Sequence, residues 1–102
     1  MGEEPEKYIN ISIFFTFMYE LYIANGRAEK RLHEYLKIRN DIEGKLDRLK
    51  IDPRRETGAH PLHGRLAGKW ACWLGSDIRM IYSIDDGNKK IIIEAVGPHK
   101  IY

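Results

Sequence analysis

The sequence predicts an α+β domain with an N-terminal strand, a helical hairpin, and an antiparallel three-strand meander packed on the helices. Three observations carry this. Apolar residues alternate from Ile9 to Ile23 and then recur at helical spacing from Ala28 to Leu49. Three strand-like segments separated by Gly- and Asp-bearing turns follow. At 102 residues the chain makes one domain, 1–102, with room for a single modest core. Apolar residues at 43% and charged residues at 31% suit a globular chain rather than a disordered one.

The first element cannot be one straight strand. Fifteen extended residues span roughly 50 Å, against a radius of gyration of about 13 Å for a compact domain of this size. Residues 18–24 are therefore read as the domain's own first strand. Residues 1–17 are an N-terminal extension of unassigned role, and 9–17 within it suit an extra edge strand or a homodimer contact. If translation starts at Met18, they are no part of the natural chain.

Asn25-Gly26 ends the strand. Ala28, Leu32, Tyr35, Leu36, Ile42, Leu46 and Leu49 then mark one face of a helical pair, with Lys, Arg and Glu between them. Asn40-Asp41-Ile42-Glu43 reads as an N-cap with a capping-box glutamate, which divides the pattern into two helices, and Pro53 stops the second. Residues 52–68 read as a loop rich in Pro, Gly, Arg and His. Strands are expected at 69–74, 78–84 and 90–96, with turns at Gly75-Ser76-Asp77 and Asp85-Asp86-Gly87-Asn88. The sheet face away from the helices is expected to be open. Within the second of these strands Ile78, Met80, Tyr82 and Ile84 share one face, and Arg79, Ile81 and Ser83 the other. An arginine in mid-strand beside an isoleucine is unusual for a plain solvent face.

Net charge is only +2. Glu3, Glu4 and Glu6 against Lys7 leave the first 17 residues at −2, so residues 18–102 hold +4. With Arg54-Arg55, Arg65, Lys69 and Arg79 in that part, the bias toward a polyanion is mild. The lone Cys72 makes an intramolecular disulfide impossible and points to a reducing, cytoplasmic setting. No CxxC or HExxH occurs, so neither a metal site nor a cofactor is expected. The acidic N-terminus is a poor secretory signal, and the apolar stretch after it is too interrupted to cross a bilayer as a helix.

The most distinctive stretch is His60-Pro61-Leu62-His63-Gly64-Arg65-Leu66-Ala67-Gly68-Lys69-Trp70, continuing to Ser83-Ile84-Asp85, with Val96-Gly97-Pro98-His99-Lys100-Ile101-Tyr102 at the end. A Pro-Leu-x-Gly loop, a Gly-x-Trp strand, a polar turn, Arg-Met-Ile-Tyr and a terminal His with an aromatic occur in that order. The segment 59–102 resembles the RelE/ParE superfamily of type II toxins, with the YoeB- and YafQ-like branches nearest in feel. The helical hairpin agrees in arrangement.

The resemblance implies a RelE-like fold and a ribosome-dependent endoribonuclease that cuts messenger RNA and is restrained by a cognate antitoxin. It makes His60 the general base, Arg79 the phosphate-stabilising cation and His99 the general acid, while Tyr102 orients the substrate or stacks on a base. Imidazole suits either proton role near neutral pH, and a guanidinium fork can grip two phosphate oxygens. Arg65 and Lys69 would hold the RNA backbone, and Asp77 occupies a turn where some members carry a functional acid. His63 is read as surface and His33 is given no role. Trp73 stands where the YafQ-like branch has a histidine, and Ile78 where it has a tryptophan. Trp70 and Trp73 face opposite ways, so one packs on the helices and at most one reaches the site. The alternatives are a ParE-like, non-catalytic inhibitor of DNA gyrase and an inactive homologue that acts by binding protein.

Overall fold

The structure, a computed structural model, describes residues 18–75 and 77–98. Its elements are β1 (Glu20–Ile23), α1 (Gly26–Ile38), α2 (Ile42–Ile51), β2 (His60–Pro61), β3 (Trp70–Trp73), β4 (Ile78–Asp85) and β5 (Lys90–Pro98), with 3-10 turns at Glu56–Gly58 and Gly64–Leu66. The strands form one five-stranded sheet in the order β1-β5-β4-β3-β2. Strands β2 to β5 pair antiparallel, and β1 joins parallel to β5. This is the predicted α+β architecture, its N-terminal strand included; the structure adds the parallel pairing of β1 with β5 at one edge and the short strand β2 at the other. The extension strand expected at 9–17 lies outside the described residues.

Both helices cover one face of the sheet. Ala28 and Leu32 of α1, with Ile42, Leu46 and Leu49 of α2, meet Cys72, Met80, Tyr82, Ile91, Ile93 and Val96 in one buried cluster. Trp70 packs against that cluster, so it is the tryptophan that faces the helices. Asn25 does more than end β1. Its side chain accepts from the Ala28 N–H at 2.9 Å as the N-cap of α1, and its Nδ2 donates to the Glu94 carbonyl at 3.0 Å.

The cap expected for α2 is not made. The N-cap residue is Asp41, whose side chain makes no capping bond. Its backbone is already right-handed helical (φ −85°, ψ −14°) rather than extended, and its carboxylate accepts from Arg39 at 3.0 and 3.2 Å and from Lys45 at 3.4 Å. Charged donors take the carboxylate that the cap would have used.

A polar clamp ties the residue before β1 and the segment after α2 to the β4–β5 turn. Asp86 accepts from Arg54 at 2.9 and 3.0 Å and from the Tyr19 hydroxyl at 2.5 Å, and the Arg54 guanidinium also lies 5.6 Å from the Trp70 ring centroid. Arg54 is thus a structural cation rather than part of a free basic patch. The hydrogen bonds from Arg54 and Tyr19 hold the Asp86 carboxyl at about 2. A folded-state value below the unfolded one stabilises the fold above about pH 4, and that contribution is lost as pH falls toward about 2. Asp86→Asn is expected to melt below wild type at pH 7, with the gap shrinking as pH drops from about 4 to about 2. Thermal melts over a pH series check this, and a gap independent of pH would contradict it.

Candidate active site

The site begins with a backbone twist. Thr57 (φ 53°) and Gly58 (φ 70°) both adopt left-handed conformations just before β2. At Gly58 a Cβ would lie 3.0 Å from Trp73 Cδ1, so both the conformation and the contact favour glycine. The Gly58 carbonyl lies 3.0 Å from His60 Nδ1. A carbonyl only accepts, so Nδ1 donates and the neutral imidazole carries its lone pair on Nε2.

Strand register decides which side chains share this face. His60 pairs with Ala71, Ala71 with Ile81, and Ile81 with Ala95, and residues directly opposite point the same way. One step along, Trp73 pairs with Arg79. The Arg79 guanidinium carbon lies 4.7 Å from the Trp73 ring centroid, a cation–π contact. His60, Gly58, Trp73 and Arg79 thus form one run of contacts on the sheet face turned away from the helices. Sequence reasoning expected that face to be open, yet Arg79 is 8%, Ile81 4% and Ala71 0% exposed. Ala71 is small and sits among the larger His60, Ile81, Lys69 and Trp73, its neighbours across and along the sheet, which explains its burial.

The other predicted residues divide. Arg65 lines an open concavity of about 660 Å³ together with His60, Leu62, His63 and Leu66. Lys69 lies on the same sheet face, where its ammonium donates to Glu94 at 2.6 Å and to Ser83 at 3.3 Å. Asp77 is exposed in the turn between β3 and β4. His99 and Tyr102 lie outside the described residues. Cys72 is buried, and burial pushes its thiol up to about 11, which makes it a poor nucleophile at neutral pH. Among the described residues no group of three metal-ligating side chains forms, and no helix is long and apolar enough to cross a membrane.

Sequence reasoning missed two members. Gly58 was hidden because its partner is 15 positions away in the chain. Glu94 was hidden because a β-bulge aims it: Ile81 pairs with Ala95 and Tyr82 with Ile93, leaving Glu94 as the extra residue.

Two helices over one face of this strand order give a fold shared with solved structures of RelE-, YoeB- and ParE-type toxins. The RelBE2 toxin–antitoxin complex from Mycobacterium tuberculosis is similar at TM-score 0.64 and 24% identity, over 80% of this chain and 99% of that one. The YoeB/ParE toxin from Agrobacterium tumefaciens matches at TM-score 0.64 and 16% identity, over 78% and 98%. The YoeB–YefM complex from Staphylococcus aureus matches at TM-score 0.62 and 17% identity, over 79% and 97%. No protein-family model matches the sequence, and no curated protein does.

Proposed function

We propose that the protein is the toxin of a type II toxin–antitoxin pair and cuts messenger RNA on the ribosome by attack of a ribose 2′-OH on the adjacent phosphate. The observation that carries this reading is His60, whose Nδ1 is tied to Gly58 at 3.0 Å on the face that bears Arg79. Nε2 is then the free base. It takes the 2′-OH proton as the 2′-oxygen bonds to phosphorus, while Arg79 offsets the charge building on the phosphate oxygens. The bond from phosphorus to the 5′-oxygen breaks, and His99 protonates that leaving oxygen. The products are a 2′,3′-cyclic phosphate and a 5′-OH.

Tyr102 stacks on or orients the substrate, Arg65 holds the strand at the rim of the concavity, and Asp77 borders the site from its turn. The domain 1–102 works as one unit in the cytoplasm, without metal or cofactor. An antitoxin partner follows from the likeness to toxin–antitoxin complexes, and the exposed side chains of Tyr22 and Ile23 on the edge strand β1 suit a homodimer contact.

Tightly controlled induction in a bacterial host, with primer extension on an abundant message, tests the reading. Growth arrest with new 5′ ends in frame is expected. Arrest without cleavage would replace the nuclease with the gyrase-type inhibitor, and no arrest would overturn the toxin assignment.

A further inference from the structure

We infer that Glu94, with Lys69 and Ser83, forms a base-reading subsite that selects guanine beside the cut. The inference rests on the nuclease reading above. Glu94 is the extra residue of the β-bulge opposite Ile81 and Tyr82, and its carbonyl is held by Asn25 Nδ2 at 3.0 Å. Bulges re-aim side chains and gather beside active sites. This one turns a carboxylate onto the face that carries His60 and Arg79.

There Glu94 Oε2 accepts from the Ser83 hydroxyl and from the Lys69 ammonium. Burial pushes the carboxyl up, but the hydrogen bonds from Lys69 and Ser83 outweigh it and hold Glu94 below the ordinary carboxylate range. The group is therefore an anion at neutral pH, with Oε1 making no hydrogen bond among the described residues. Its side chain keeps 29% of its surface exposed.

That chemistry decides the ligand. A phosphate would meet the Glu94 charge, and Lys69 is already spent on that charge, so the cluster does not suit the RNA backbone. A nucleobase edge does suit it, because Oε1 accepts and Lys69 still has a proton to donate. Guanine alone among the four bases presents two neighbouring N–H donors beside a carbonyl, which matches a carboxylate beside an ammonium. Ser83 stands four residues along β4 from Arg79, about 13 Å. That is too far to touch the scissile phosphate and suits a base flanking it. Lys69, expected from sequence to hold the backbone, becomes a base contact and the positioning residue for Glu94.

The test compares cleavage sites across cellular RNA for wild type, Glu94→Gln and Lys69→Gln, scoring the base preference at each flanking position rather than the total rate. Wild type is expected to favour guanine at one fixed position, and Glu94→Gln to reduce that preference about fivefold or more, with Lys69→Gln reducing it in the same direction. A purely structural ion pair would lower the melting temperature and leave the preference unchanged, which overturns the inference while the nuclease stands. Wild-type cutting with no guanine preference overturns it too. Absence of any cutting by wild type removes the nuclease reading and this inference together.

Discussion

Arg79→Ala is expected to lower the single-turnover rate of message cleavage on programmed ribosomes by about 10³-fold and to abolish growth arrest. Arg79 is a cation on the face that bears His60, and its guanidinium is set over Trp73 at 4.7 Å. Preorganised charge aimed at a developing phosphorane contributes most when it is already in position before the reaction starts. The aromatic face helps to fix that position. The fold should survive the change. Arg79 lies outside the apolar cluster between helices and sheet, and a desolvated cation–π contact contributes about 2 kcal/mol, against 5–15 kcal/mol for a typical domain. Arg79→Lys separates charge from geometry. Lysine keeps the charge and loses the planar fork, so an intermediate loss is expected. Circular dichroism and a melting curve establish that the variants are folded, and a folded Arg79→Ala protein cutting within tenfold of wild type would sink the site.

What could be read from the sequence depended on how local each interaction is. The meander from Trp70 to Pro98 was legible because its turns carry their own chemistry and its strands alternate. The helical pair was legible from the spacing of Ala28, Leu32, Ile42, Leu46 and Leu49, and these residues are the buried ones. Strand β2 was not legible. Two residues carry no period, and His60–Pro61 is a strand only because β3 lies beside it. The cap of α2 failed for a related reason: capping-box spacing puts the cap at Asn40 with Glu43, but the observed N-cap is the next residue, Asp41, whose carboxylate is taken by Arg39 and Lys45.

The site shows the same division. Arg79 stood out because an arginine in the middle of an apolar strand breaks the pattern of its neighbours. His60 stood out only through the resemblance, since an imidazole in a glycine-rich loop has no signature of its own. The contact from Gly58 to Trp73 and the bulge at Glu94 depend on tertiary pairing that no window of sequence contains. Trp73 is the residue on which both Gly58 and Arg79 rest. Its indole offers a large flat surface and no titratable group. The proton chemistry of the proposed site then falls to His60 and His99.

His60→Asn isolates that chemistry. The asparagine amide occupies the place of Nδ1 and can still donate to the Gly58 carbonyl, so the loop keeps its hydrogen bond, but no atom replaces Nε2 as a base. The cleavage rate is expected to fall by about 10²–10⁴-fold, with the melting temperature close to that of wild type. The pH profile gives the sharper reading. A general base must be deprotonated to act, so a wild-type rate that depends on His60 falls at acid pH, and the asparagine variant should lose that acid limb. Gly58→Ala attacks the same base from the backbone side. It places a Cβ 3.0 Å from Trp73 at a φ of 70°, and either the carbonyl under His60 or the ring under Arg79 must move. Its rate should fall while the acid limb persists, because the imidazole is displaced rather than removed. If His60→Asn retains both its rate and its acid limb, the base lies elsewhere.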